Sequence, residues 1–353
     1  VAETVVVGGG VIGAAIFHAL ATQGEEVTLV ERHRPGLGAS AWSGGIVRAF
    51  HHEPQLSDRA AQGWDYYREF TTHTGERASF TTSGFLSLVG PEQRAYARRE
   101  AARIASRTPA LWLEPDELAA RFGTILSDAG GGGVWEPEAG YLDPMDVVRG
   151  WTRAGQRAGG TVLTGTRVLS LARTAGRVTG VLTPGGPLRA DTVVLATGPA
   201  TPNQLTSWGI RHHLWLQTIQ VDLRLPSVPM ADHPAFADHR HGTNGRPDPD
   251  SGGVFTGYPT GQRPQDEGCG DLDPACTARA GDAAARRFSW VAGSKPVGGL
   301  RAAECHAPSE LGAVGPLADG PEGLLLATGF NGGGFKMAPW VASEVARQVT
   351  GPR

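Results

Sequence analysis

The chain opens on a run of apolar positions followed by a change of period. Val5, Val6 and Val7 are continuous, as in a parallel strand covered on both faces. Ile12, Ala15, Ile16, Ala19 and Leu20 then recur at helical spacing, Gly24 ends that helix, and "EVTLVER" reads as a second strand ending at Glu31. Residues 56–73 repeat as a helix through Ala60, Trp64, Tyr67 and Phe70, and "GFLSLVG" is a strand. "EPDELAARFG" starts a helix after a proline, and another helix follows Asp143. "TVLTGTRVLSLART" and "RVTGVLTPGGPLRADTVVLATGP" form a set of strands closing on a glycine turn at Gly198. "LWLQTIQVDLRLP" alternates like an antiparallel strand, and "GLLLATGF" is a buried strand before a glycine loop and a last helix, "APWVASEVARQVT".

Residues 226–252 and 261–285 lack an apolar period and are rich in Pro, Asp, Gly and, in the first, His. They read as surface loops, with His233, His239 and His241 solvated rather than ligating a metal. Nucleotide-type segments at the start, middle and end, with antiparallel segments between, predict two interleaved α/β (α+β) domains. A Rossmann-like cofactor domain takes 1–80, 140–210 and 295–353. A substrate domain on a mixed or antiparallel sheet takes 81–139 and 211–294.

Gly8, Gly10 and Gly13 stand as G-x-G-x-x-G between the first strand and the first helix, with an acid about twenty residues on. Glycine lets the backbone approach a pyrophosphate, whose charge sits on free N–H groups at the helix start, while an acid such as Glu31 accepts from a ribose. Dinucleotide binding follows; NAD and FAD are not separated by this motif.

At 353 residues the length suits two domains, and the net charge of -3 carries no basic block of the kind that binds nucleic acid. No apolar run is long enough for a membrane span. The start of the sequence has neither a basic region nor a cleavage site before the first strand, so a cytoplasmic location is expected. Cys269, Cys276 and Cys305 give no disulfide framework and no metal spacing. The chain has two lysines, Lys295 and Lys336, against thirty arginines; Lys336 lies in the glycine-rich "GFNGGGFKMAPW".

The motifs "VVVGGGVIGAA…LVER", "GAS…GGIVRAF", "GYLDPMDVVRGW…AGGTVLTGTRV", "VVLATGP", "GYP", "RAAECHAP" and "GLLLATGFNGGGFK" together resemble the D-amino-acid oxidase superfamily, and within it the monomeric sarcosine oxidase group. The resemblance implies FAD. It places Gly8, Gly10, Val11, Ile12, Gly13, Glu31 and Arg32 on the nucleotide, Ser40, Gly44 and Gly45 in the first flavin loop, and Val168, Thr197 and Gly198 in the second glycine turn. Gly332, Gly333, Gly334, Phe335 and Lys336 form the last loop. It further implies that a flavin takes a hydride equivalent from the carbon beside an amine nitrogen, giving an imine and, with dioxygen, hydrogen peroxide.

The resemblance places the substrate carboxylate on Arg48 and Lys336. Paired cations suit a carboxylate bound over an apolar ring, because an unpaired buried charge is costly, and they favour the neutral, oxidisable amine. Glycine-flanked backbone would let Lys336 swing. Tyr258, Trp215 and Phe50 are pocket aromatics or core. Cys305, 31 residues before Lys336, is the expected site of a thioether to the flavin, with Arg301 or His306 lowering the thiol pKa. One departure stands out: the lysine that the group carries after the "GYP"-type strand, credited with oxygen activation, is missing, which leaves room for a dehydrogenase with another electron acceptor. A flavoprotein that binds amino acids without turnover is the alternative from a different class.

Overall fold

The computed structural model describes residues 3–230, 232–268 and 270–351. Among these residues, a six-stranded sheet runs in the order Ala313–Pro316, Leu324–Thr328, Thr192–Leu195, Thr4–Val7, Val27–Val30, Thr161–Leu163. All its pairs are parallel except the edge pair of Ala313–Pro316 with Leu324–Thr328. Its strands are apolar on both faces because both faces are covered. Val11–Thr22 packs against Pro144–Arg157 and Gly334–Thr350 on one side, and the three-stranded sheet of residues 170–189 closes the other.

A mixed eight-stranded sheet holds, in order, Lys295–His306, Trp215–Leu225, Gly253–Gly257, Thr243–Asp248, Ala235–Asp238, Phe85–Leu88, Gly133–Glu136 and Leu111–Leu113. Trp215–Leu225 alternates buried and half-buried along its length, as its sequence predicts. One face carries the helix Pro274–Ala285 and the cluster of Phe236, Val254, Phe288 and Trp290. The opposite face meets the small ladder of Ile46–Val47 with Gly140–Tyr141, which leads directly into Arg48.

Four expectations change. The segment 226–252 contains two strands of this sheet, and 261–285 contains the helix Pro274–Ala285, capped by the Asp273 carboxylate on the Ala275 N–H. The three histidines of the first segment are buried or half-buried rather than solvated. His233 is 3% exposed and accepts from Trp290, and His241 bonds the buried Asp238 carboxylate. Among the described residues no His, Cys, Asp and Glu group could hold a metal. Cys269 lies outside the described residues. Finally, Lys336 is not in a mobile loop: the last helix begins at Gly334, and Lys336 sits in its first turn, 8% exposed. Lys295–His306, counted by sequence with the cofactor segments, hydrogen-bonds in the eight-stranded sheet.

Candidate active site

A cleft of about 560 Å³ opens along the C-terminal ends of the parallel strands and extends to the junction with the second sheet. Its floor is the first glycine turn. Gly8 has φ +103°, and a Cβ there would meet the Ala196 carbonyl oxygen at 2.5 Å. A Cβ on Gly13 would lie 1.8 Å from the Gly8 oxygen, so this glycine lets helix and turn close on one another; it does not line the cleft. The helix Val11–Thr22 has no acid in its first turn and no side-chain cap from Gly10. Instead, the buried Ser40 Oγ accepts from the Val11 N–H at 2.9 Å, across 29 residues of chain. Glu31 is held at the rim by two backbone donors, Gly9 N–H at 2.7 Å and His33 N–H at 2.8 Å. Arg32 is ion-paired with Glu267, another cleft residue that carries no signal in the sequence.

The walls bring together most of the remaining expected cofactor residues. Val168, Thr197 and Gly198 line one side. Gly332, Gly334, Phe335 and Cys305 line the other. Gly45 (φ +62°) instead seats its loop on the Leu142 carbonyl, and neither it, Gly44 nor Gly333 reaches the cleft wall. A long cleft whose floor is glycine backbone at a helix start, with a carboxylate at its rim, fits the pyrophosphate and ribose of FAD.

The expected activation of Cys305 is overturned. Burial pushes its thiol up to about 11, only partly opposed by hydrogen bonds from Thr328 and the Gly329 backbone. Arg301 is occupied by Gln220 and Gln262, and His306 lies 3.6 Å from the Glu304 carboxylate.

Neither Arg48 nor Lys336 lines the cleft, but Lys336 directly follows its lining residue Phe335; Lys336 is buried, Arg48 is half-buried, and the two are close enough to repel one another. Burial and then Arg48 pull the Lys336 ammonium down to about 7, against the weaker attraction of Glu304 and Glu136. Burial lowers Arg48 to about 10, opposed by Glu136 and Glu310. Arg48 lies over the Phe85 ring, 4.7 Å from its centroid, and donates to the Phe50 carbonyl. Among the described residues neither cation has an ion-pair partner, and Lys336 makes no hydrogen bond through its ammonium. A cation in the first turn of a helix also opposes the helix dipole.

Local packing forces this placement. A Cβ on Gly63 would lie 1.8 Å from the Lys336 carbonyl, so the helix Pro54–Arg68 can press on the first turn of the last helix. Tyr67 stacks on Phe335 and donates to its carbonyl at 2.7 Å.

Three residues here had no signal that marked them as site residues in the sequence. Glu136 ends an apolar strand and accepts from the Ala49 N–H at 2.6 Å and the Phe50 N–H at 3.2 Å. Burial raises its pKa, and Arg48 opposes the rise. His51 is held well below the ordinary histidine value by burial and then by Arg48 and Lys336, and its Nε2 has no partner. His239, brought to about 3 by burial and Arg48, meets His52 edge to face at 4.2 Å. Phe50 is core, and Trp215 packs under Arg263. Tyr258 is half-buried near Gly242, and among the described residues no contact ties it to Arg48 or Lys336.

A family model described as FAD dependent oxidoreductase matches residues 3–348, and the chain belongs to that family. It is 27% identical over 370 residues to the 4-methylaminobutanoate oxidase (formaldehyde-forming) of Paenarthrobacter nicotinovorans, covering 98% of this chain and 43% of that protein. To the uncharacterized oxidoreductase YurR of Bacillus subtilis it is 26% identical over 385 residues, covering 98% and 94%. The chain spans less than half the length of the first curated relatives it matches. Among solved structures, L-proline dehydrogenase from P. horikoshii superposes with a TM-score of 0.86 at 21% identity, covering 99% of this chain and 93% of that one. Glycine oxidase from Geobacillus kaustophilus gives 0.80 at 20% identity, covering 100% and 96%. These likenesses establish the fold: a Rossmann-like FAD domain with a mixed-sheet second domain. Among the described residues no helix is long and apolar enough to cross a membrane.

Proposed function

We propose that the chain oxidises the C–N bond of a small amino acid, a secondary or cyclic amine that carries a carboxylate, to an imine, as in the sarcosine oxidase group. The observation that carries this reading is a pair of neighbouring cations without a carboxylate partner: buried Lys336, next to the cleft-lining Phe335, and half-buried Arg48. Bound FAD supplies the two-electron acceptor, held by the Gly8–Gly13 turn, Glu31 and the wall around Gly198. Arg48 offers a planar fork to the substrate carboxylate and Lys336 a point charge. A carboxylate there relieves the mutual repulsion of the two cations and suits the helix start that carries Lys336. The same cations, with His51 and His239 kept neutral around them, disfavour the ammonium form of the substrate and favour the free amine. The relative named 4-methylaminobutanoate oxidase has a methylamino acid in its name, which supports this substrate class.

The test is anaerobic: holoprotein is mixed with N-methyl amino acids, proline and pipecolate, and the flavin absorbance is followed. Bleaching by a carboxylated amine, with none in Lys336→Met, supports the reading. Bleaching by a simple amine as the best substrate overturns the carboxylate role, and no bleaching by any amine overturns oxidation. Peroxide formed on readmitting air then separates an oxidase from a dehydrogenase. The same reading includes a thioether from Cys305 to the flavin, supported by the place of Cys305 in the cleft wall. A thiol with pKa near 11 makes its formation slow at neutral pH and faster as pH rises. Yellow, acid-precipitated wild-type protein and colourless Cys305→Ala support it; full release of flavin from the wild type after prolonged incubation at high pH overturns it.

A further inference from the structure

A third cation faces the same side of the eight-stranded sheet and has no assigned role. Arg246 lies on the strand Thr243–Asp248, directly opposite Phe255. Its guanidinium is sandwiched 4.5 Å from the Tyr141 ring and 5.1 Å from the Phe255 ring. It donates through Nη1 to the Pro247 carbonyl at 2.8 Å, while Nε is buried with no partner. Among the described residues it has no ion-pair partner; the acids that attract it, Asp248, Asp143 and Asp250, act only at a distance. Burial lowers its pKa, the mark of a charge left uncompensated.

Its place relates it to the carboxylate site. A Cβ on Gly44, in the first flavin loop, would lie 3.6 Å from Arg246 Nε. Tyr141, one of its two rings, pairs with Ile46, two residues before Arg48. Arg48 in turn lies over Phe85, whose strand is separated from that of Arg246 by the single strand Ala235–Asp238. Strands about 4.8 Å apart put Phe85, the ring under Arg48, about 10 Å across the sheet from Arg246. Two charge-assisted hydrogen bonds of about 2.8 Å, one from each guanidinium, then leave roughly 4 Å between their acceptors. That is the span of a short linear dicarboxylate.

We infer that Arg246 forms a second anion subsite and that the substrate is a dicarboxylic amine, with one carboxylate on Arg48 and Lys336 and the other on Arg246. This deepens, and rests on, the reading of Arg48 and Lys336 as the carboxylate site. An aromatic sandwich holds a guanidinium in one plane, so its fork is already oriented when the anion arrives.

The test is binding of non-reactive acids to holoprotein, read by calorimetry and by perturbation of the flavin spectrum. Succinate and adipate are compared with butyrate and hexanoate, which keep the chain length and lose one charge. In the wild type the diacids bind at least about tenfold tighter, and Arg246→Met brings that ratio down toward one. Arg246→Lys, which keeps the charge without the fork, retains part of the preference and guards against a folding defect in the methionine variant. Equal affinity for diacids and monoacids in the wild type overturns the subsite, as does an equal loss for both in Arg246→Met, which would place Arg246 against the flavin. Lys336→Met keeps the two readings apart. If it abolishes butyrate binding while the wild type shows no diacid preference, the carboxylate site stands and the subsite falls. If it leaves butyrate binding intact, the carboxylate site itself falls.

Discussion

Two arginines of this chain, Arg287 and Arg48, differ in what surrounds their charge. Arg287 is fully buried and fully matched: its Nε and Nη2 reach the two Asp238 oxygens at 2.8 and 3.1 Å, and Nη1 donates to the Asp128 carbonyl at 2.7 Å. Asp238 is pushed up by burial, yet Arg287 and then His241 outweigh this and hold it below the ordinary aspartate value. Arg48 is half-buried, has Lys336, another cation, as a charged neighbour, and has no carboxylate in contact. A charge that serves the fold is neutralised within the fold. A charge that serves a ligand is left waiting for one, and its depressed pKa records the deficit.

The largest expected effect breaks the first member of this pair. Asp238→Ala strands Arg287 in the core beside Phe288 and should destabilise by about 3–5 kcal/mol, read from denaturant midpoints of the FAD-loaded protein. The corresponding loss at the other cation, Lys336→Met, should do the opposite to the ligand-free protein and raise its midpoint, because an unmatched buried charge disappears. If both substitutions destabilise alike, the distinction between a structural and a ligand-directed charge is wrong.

Next in size is the effect on binding. Arg48→Met and Lys336→Met should each weaken a monocarboxylate by about 1.5–3 kcal/mol, the usual value of a hydrogen bond to a charged group. Lys336 adds a pH signature. Its pKa is near 7 in the free protein, and the ligand holds the ammonium form, so carboxylate affinity should fall as pH rises above about 7. Stability without ligand runs the other way. Between about 7 and 10.5 the unfolded chain binds the proton that folded Lys336 has lost, so its penalty, full below about 7, is relieved as pH rises through that window. In Lys336→Met both slopes should vanish. A pH-independent carboxylate affinity in the wild type would show that Lys336 does not hold the anion.

The same contrast explains what could be read from the sequence. The cofactor side is built from backbone, and backbone demands leave local marks: Val5–Val7 for a strand covered on both faces, glycines where Gly8 and Gly13 permit no Cβ, Glu31 at the following strand end. Arg48 and Lys336 were reached through motif resemblance. Glu136, His51 and Arg246 were not, because each is a lone polar residue whose meaning arises only when distant strands meet. The strands Ala235–Asp238 and Thr243–Asp248 were read as loop for a related reason. "AFADHRHGTNGRPD" has poor strand propensity, and its polar groups are tolerated because Asp238 meets Arg287 and Arg246 lies between two rings. Lys336 was expected to swing among glycines, yet Gly63 and Tyr67 from another helix fix the turn that carries it.

The smallest expected effect concerns an uncharged partner on the cofactor side. Ser40 Oγ takes the Val11 N–H at the start of the first helix, the role Asp143 plays for the Met145 N–H at the start of Pro144–Arg157. Replacing either by Ala should destabilise by about 1 kcal/mol, the usual worth of a helix cap. The two should differ in a second readout. Asp143 is exposed at its helix start, whereas Ser40 is buried in the cleft wall and sets the angle at which the Gly8–Gly13 turn meets the flavin loop. Ser40→Ala should therefore also weaken FAD retention on dilution, by several-fold, while Asp143→Ala leaves it alone. Equal retention in the two variants would mean that Ser40 is a helix cap that happens to lie beside the cofactor, and that the turn is held in shape by its glycines.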